Sequence, residues 1–106
     1  MTFGKLSDQQ AREIVPGFFG KFVHTDRMTV SYWTIDEGAV LPEHHHPHEQ
    51  ITTVIEGQLE LTVDGETRVL GPLETAVIPS EAVHGGRAVT NCFVIDVFQP
   101  ARDDYR

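Results

Sequence analysis

Four histidines and a glutamine crowd into seven residues, His44, His45, His46, His48 and Gln50, within the stretch GAVLPEHHHPHEQITTVIEG at 38–57. Imidazole is the most frequent side-chain ligand of transition metals, and an amide oxygen can join it, so a metal ion is the simplest chemistry for this cluster. Pro42 and Pro47 bracket the histidines and exclude a helix across them, leaving extended or looping backbone. In an extended chain alternate side chains share a side, so His44 and His46 point one way and His45 the other. Gln50 has the parity to return to the first side after Pro47, and Glu49 then points away. His84, far along the chain beside a proline turn, is the other histidine in a strand-like setting, and a neighbouring strand can bring it opposite the pair.

Three imidazoles (His44, His46, His84) and the Gln50 amide oxygen would make an incompletely filled shell. It suits one divalent transition ion, Ni, Mn, Fe, Co or Zn, with positions open to a substrate. A neutral Gln50 leaves such a centre at +2 where a glutamate would lower it to +1, which favours polarisation of a bound oxygen over tight metal binding. That electrostatic balance suits Lewis-acid chemistry on an anionic substrate; oxygen activation at a three-histidine iron stays open. His45 and His48 read as second neighbours, substrate-facing or solvent groups rather than ligands. His24, in an aromatic strand, reads as structural.

A second chemical signal lies near the C-terminus. Asp96 interrupts the apolar run Cys92-Phe93-Val94-Ile95-Asp96-Val97-Phe98. A carboxylate buried there costs several kcal/mol unless it is paired or its pKa is raised. If Asp96 and Phe98 share an inward face, the carboxyl becomes an acid/base candidate beside the metal. Arg102, after Pro100, could reach over the mouth and hold a substrate carboxylate bidentately, or pair at the surface with Asp103 or Asp104.

The elements that must position these groups are short strands. Segments 17–25, 28–36, 50–56, 58–64, 66–70, 75–79, 82–89 and 91–98 are rich in β-branched and aromatic residues and are broken by turn residues every few positions. Leu59, Leu61 and Val63 alternate with Glu60 and Thr62, and Asp64-Gly65 is a two-residue hairpin signal. Met28, Val30 and Tyr32 fall on one face of their strand, Trp33 and Ile35 on the other. Ser7-Asp8 can start a helical turn that Pro16-Gly17 stops. The expectation is one all-β domain over 1–106: an extended N-terminal arm over 1–16, a sandwich or small barrel over 17–98, and a short tail over 99–106.

Composition bounds the partners. With 106 residues and 40% apolar content the chain can bury one modest core. A net charge of −8 without a Lys/Arg cluster argues against nucleic acid and anionic membrane surfaces. The single Cys92 cannot form an internal disulfide. No signal-peptide pattern or run of transmembrane length appears, so a cytoplasmic location is expected by default.

Two motifs carry a family resemblance. Gly38-x5-His44-x-His46-x3-Gln50-x6-Gly57 resembles the first cupin motif, with Gln50 at its glutamate position, and Pro79-x-Glu81-x2-His84 resembles the core of the second. The resemblance covers roughly 36–98 and implies a single-domain cupin jelly-roll barrel with the metal inside. Departures lie in the second motif: Leu73-Glu74 stand at its Gly-Asp step, and Glu81 and Ala88 at its Gly and Asn positions. These changes bear on turn shape more than on the metal.

HPHEQIT (46–52) and DVFQPARDDY (96–105) are similar to the small pectin-degradation cupins of the KdgF type. That resemblance implies a His-His-Gln-His metal set, ring opening of 4,5-unsaturated galacturonate, and a site lined by Asp96, Phe98 and Arg102. Two other enzyme classes use similar cores, polyketide cyclases and dioxygenases. An apolar lining from Phe18, Phe19, Trp33 and Phe93 would favour a cyclase. A non-enzymatic small-molecule-binding module is a weaker reading, because such cupins usually accompany a DNA-binding domain. A small anionic substrate and a homodimer, its contacts helped by the N-terminal arm, complete the expectations.

Overall fold

The computed structural model describes residues 2–106 and divides them into ten strands. They are β1 (Arg12–Val15), β2 (Phe18–His24), β3 (Thr29–Ile35), β4 (Val40–His44), β5 (Glu49–Glu56), β6 (Leu59–Val63), β7 (Glu66–Leu70), β8 (Thr75–Ile78), β9 (His84–Ala88) and β10 (Cys92–Gln99). Two antiparallel sheets result, of order β1-β2-β3-β10-β5-β8 and β4-β9-β6-β7. The jelly-roll expectation holds.

Strand alternation builds the core. Phe18 and Phe22 on β2, Trp33 and Ile35 on β3, Val54 on β5, Leu59 and Leu61 on β6 and Val94 on β10 turn inward and pack as one cluster. Each such side chain contributes about 1.5–3 kcal/mol by leaving water. Gly20 makes room for the large ring: a Cβ there would lie 2.9 Å from Trp33 Cζ3 and 2.6 Å from Phe22 Cζ.

The turns follow their residue types. Asp64 and Gly65 both take positive φ (47° and 83°), as the two-residue hairpin between β6 and β7 requires. Gly57 closes the β5–β6 turn at φ 87°, where a Cβ would meet the Asn91 carbonyl oxygen at 2.1 Å. Leu73 and Glu81, both at φ 66°, keep the left-handed backbone that the family's motif gives to glycine. The turn shapes survive the substitutions because hydrogen bonds over-determine them. Leu73 N–H donates to Val54 O (2.7 Å) and Glu81 N–H to His46 O (2.8 Å).

Three places differ from the reading of the sequence alone. Pro42 lies inside a strand, β4, at a register irregularity between Leu41 and His44 on the sheet edge, where no ladder donor is missed. Residues 12–15 of the N-terminal arm are extended as expected but pair with β2 of the same chain. The tail folds back: after the cis Gln99–Pro100 bond, Ala101 and Arg102 are buried, and Tyr105 packs on Phe22 and Trp33. Among the described residues no helix is long and apolar enough to cross a membrane.

Candidate metal centre

Strand register brings the histidines together. His44, at the end of β4, is the cross-strand partner of His84, at the start of β9, with ring centroids 4.3 Å apart. His46 arrives from the loop after β4 and closes the group, its ring 4.8 Å from His84 and 5.6 Å from His44. One ligand atom from each of the three imidazoles lies within 4.8 Å of the others. The Pro79–Ala82 turn holds the loop: besides the Glu81-to-His46 bond, Ser80 Oγ donates to Pro47 O (2.6 Å).

Each ring is oriented by a backbone carbonyl. Nδ1 of His44, His46 and His84 lies 2.8, 3.0 and 2.8 Å from the carbonyl oxygens of Pro42, His48 and Ala82. A carbonyl only accepts, so each Nδ1 carries the proton and each Nε2 presents a lone pair. Burial holds His46 down to about 4, helped by the nearby Arg102 charge, and burial also lowers His84. Burial therefore favours the neutral form of both rings, the form that can ligate a metal.

Gln50, on β5, faces the same point, its Oε1 3.2 Å from His46 Nε2. With the His46 proton on Nδ1, two acceptors confront each other there, an arrangement that a cation between them relieves. The donor set of three neutral imidazoles and an amide oxygen fits a divalent transition ion, and these four residues are the ones that could hold it. Nothing in the geometry distinguishes one first-row ion from another.

The carboxyl and the arginine meet the same cavity, of about 320 Å³, which is also lined by Thr52, Phe98 and Tyr105. Asp96 points inward from β10 between its register partners Thr52 and Ser31. Thr52 Oγ1 donates to Asp96 Oδ1 at 2.6 Å. Burial pushes the Asp96 carboxyl up to about 6, opposed by hydrogen bonds from Thr52, Gln50 and Trp33 and by the Arg102 charge. Phe98, two residues on, lies edge-on to His46.

Arg102 makes the expected pairing with an acidic neighbour, Asp104, and also lines the cavity. Its side chain is buried at the cavity, sandwiched against Phe98 (4.7 Å) and Tyr105 (4.1 Å), and its Nε and Nη2 donate to Asp104 at 3.0 and 2.8 Å. The carboxylate of Asp104 holds the fork from outside, leaving other N–H donors free to meet an anion.

The remaining histidines stay out of the centre. His45 is exposed and lies 3.2 Å from Glu81, and His24 bonds Thr29 Oγ1 (2.8 Å) as a structural residue. His48 packs its ring against His46 and Phe98 and leaves its buried Nδ1 without a partner. Glu49 is exposed, as its parity requires. Of the four aromatics considered as lining, Phe18 and Trp33 face the cavity; Phe19 and Phe93 take the opposite parity and lie on the outer face.

Sequence reasoning missed Thr52 and Tyr105. Thr52 carried a usable signal, since it shares the inward parity of Gln50. Tyr105 carried none: its place follows from the fold-back of the tail.

Comparison with known proteins agrees with this architecture. Residues 31–98 match the cupin domain family. The chain is similar to KdgF from Halomonas sp., at 33% identity and a TM-score of 0.94, covering 100% of this chain and 99% of that one. It is similar to an RmlC-like cupin from Shewanella frigidimarina at 27% identity and a TM-score of 0.95, covering 100% and 96%. The salicylate 1,2-dioxygenase of Pseudoaminobacter salicylatoxidans shares the fold at 17% identity and a TM-score of 0.77, over 87% of this chain and 29% of that one. No curated protein sequence matches the chain. A match over most of the strands, with a three-histidine metal-binding site inside the barrel, shows that the chain belongs to the cupin family.

Proposed function

We propose that the protein is a metal-dependent enzyme that opens the ring of a 4,5-unsaturated uronate of the kind released from pectin. The observation that carries this reading is the convergence of Asp96, Phe98 and Arg102 on the cavity that holds His44, His46, Gln50 and His84. The similarity to KdgF over the whole chain supports it. A divalent ion bound by those four residues would supply Lewis-acid polarisation of a substrate oxygen without a redox step.

The chain's own groups account for the rest. Arg102 holds the substrate carboxylate through the guanidinium donors that Asp104 leaves free. Phe98 gives the sugar ring an apolar wall and keeps water from the carboxyl of Asp96. Asp96 takes the proton of the anomeric hydroxyl as the bond between the anomeric carbon and the ring oxygen breaks. The aldehyde and enolate so formed become an aldehyde and a ketone when Asp96 returns that proton to the alkene carbon. Atoms balance, so the reaction is an isomerisation.

The test mixes Ni-, Mn- or Zn-loaded protein with 4,5-unsaturated galacturonate and follows the enol-ether absorbance. Its loss at a rate above buffer is the expected result; no acceleration with any of the three ions removes this substrate. A second reading rests on the apolar depth of the cavity, where Ile14, Val15, Phe18, Trp33, Leu41 and Leu61 offer no polar partner. Such a lining favours an aromatic substrate, cyclised or oxygenated. Oxygen uptake by the Fe(II)-loaded protein with an aromatic diol or hydroxy acid would select it.

A further inference from the structure

We propose that Thr52 is a positioning residue that decides which end of the Gln50 amide faces the three histidines. The proposal rests on the metal-centre reading above. Gln50 and Thr52 are two apart on β5 and so share its inward face, and the β5–β10 register sets Thr52 directly opposite Asp96. The bonds run in one direction. Gln50 Nε2 donates to Thr52 Oγ1 (2.9 Å), and Thr52 Oγ1 donates its proton to Asp96 Oδ1 (2.6 Å).

That direction has a chemical consequence. A carboxylate only accepts, so the Thr52 proton is committed to Asp96, and its oxygen can then only accept from a neighbour. The amide must offer its NH₂ end to Thr52 and thereby turn its Oε1 toward His46 Nε2. The opposite flip would place an NH₂ group, which is no ligand, at the metal position. Without the hydroxyl, the amide loses its Thr52 acceptor and keeps only the bond to the Asp96 carboxyl to hold its NH₂ end away from the histidines. Ligand-orienting partners of this kind change metal affinity about 10- to 100-fold when removed.

The experiment compares wild type with Thr52→Val, Thr52→Ser and Gln50→Ala. Zn²⁺ affinity is read by chelator competition, and coordination by the visible absorption of the Co²⁺-loaded protein. Thr52→Val keeps the shape and is expected to weaken Zn²⁺ by roughly 10- to 100-fold and to alter the Co²⁺ bands. Thr52→Ser restores both, because it restores only the hydroxyl. Wild-type affinity in Thr52→Val, or no rescue by serine, overturns the role of Thr52. If Gln50→Ala also binds like wild type, the failure lies instead in Gln50 as a ligand, and the two failures are told apart.

A separate observation concerns the outer face of the six-stranded sheet. The registers line up one uninterrupted aliphatic row across five strands: Val23, Val30, Val97, Ile51 and Val77. Its two ends and Ile51 stand open, with Val23 at 48%, Ile51 at 49% and Val77 at 71% exposure, while Val30 and Val97 between them are half-buried. Tyr32 and Ile95 widen it at the middle of the adjacent row, which ends in Lys21 on one side and Thr53 and Thr75 on the other. Five strands about 4.8 Å apart and some six residues of about 3.3 Å give a face of roughly 500 Å². Two such faces together reach the ~1,000 Å² that a specific interface needs.

We infer that this face joins two copies of the chain about a twofold axis, since a nearly uncharged row is complementary to itself. The N-terminal arm, paired within its own chain, is not needed for the contact. Light scattering at micromolar concentration should give a dimer for wild type and a monomer for Ile51→Glu with an unchanged circular-dichroism spectrum. A monomeric wild type, or a dimeric Ile51→Glu, overturns the inference; Val77→Lys provides the same reading should Ile51→Glu not fold.

Discussion

Asp96→Asn is expected to lower kcat on the unsaturated uronate by about 10²–10⁴-fold while leaving Zn²⁺ affinity within a few-fold of wild type. The split follows from the two jobs of the carboxyl. As an acceptor for the Thr52 hydroxyl, Asp96 needs only an oxygen, and the asparagine Oδ1 can supply one. As a base it needs a lone pair that can keep a proton, which an amide cannot. Steady-state kinetics and chelator competition on the same preparations separate the two. Loss of metal affinity equal to the loss of kcat would make Asp96 a structural residue only.

The pH profile adds a sign. Asp96 must be ionised to take a proton, so activity is present above its pKa and is lost as pH falls through it. Burial puts that pKa at about 6, two units above an ordinary aspartate, and a bound cation would lower it. The acid limb of kcat/KM should therefore fall at or below pH 6, and the residual rate of Asp96→Asn should lack it. A wild-type profile flat from pH 4 to 7 would contradict the assignment.

The parts of this site that could be read from the chain are those governed by local periodicity. His44, His46 and Gln50 were legible because strand parity and two prolines leave few backbone paths, and Asp96 because a carboxylate in an apolar run is conspicuous. A sandwich or small barrel followed from many short alternating strands, helped by the Asp64-Gly65 hairpin, and the jelly roll from the resemblance carried by the histidine motifs. What stayed hidden depends on long-range return of the chain. Tyr105 reaches the cavity, and Arg102 pairs with Asp104 while facing it, because residues 100–106 fold back beneath β2 and β3, where Arg106 Nη2 donates to Thr25 O (2.7 Å) and Arg12 donates to Tyr105 O. No periodic signal encodes such a path. The arm was similarly opaque: REIV has too few residues to show alternation, and only pairing with β2 makes it a strand. Leu73 and Glu81 show the converse, since residue preference alone argues against their left-handed backbone and hydrogen bonds to distant carbonyls maintain it.

The placement of the ligands predicts a large effect on stability. His44 and His84 belong to the four-stranded sheet, Gln50 to the six-stranded one, and His46 to the loop between them. An ion held by all four would tie the two layers together at the cavity mouth, where the core offers polar groups instead of apolar contacts. Zn²⁺ at about 1,000 times its Kd should add about 4 kcal/mol to unfolding. For a domain of this size that corresponds to a Tm rise of roughly 15 °C. Differential scanning fluorimetry with and without a chelator measures it. His44→Ala is the discriminating variant. His44 is only half-buried and its one bond, to Pro42 O, is local, so the metal-free Tm should move by no more than a few degrees. The metal-dependent rise should largely vanish, because one of three imidazoles is gone. A rise that persists in His44→Ala would show that the ion binds elsewhere, and no rise in the wild type would show that the three lone pairs do not act as one site.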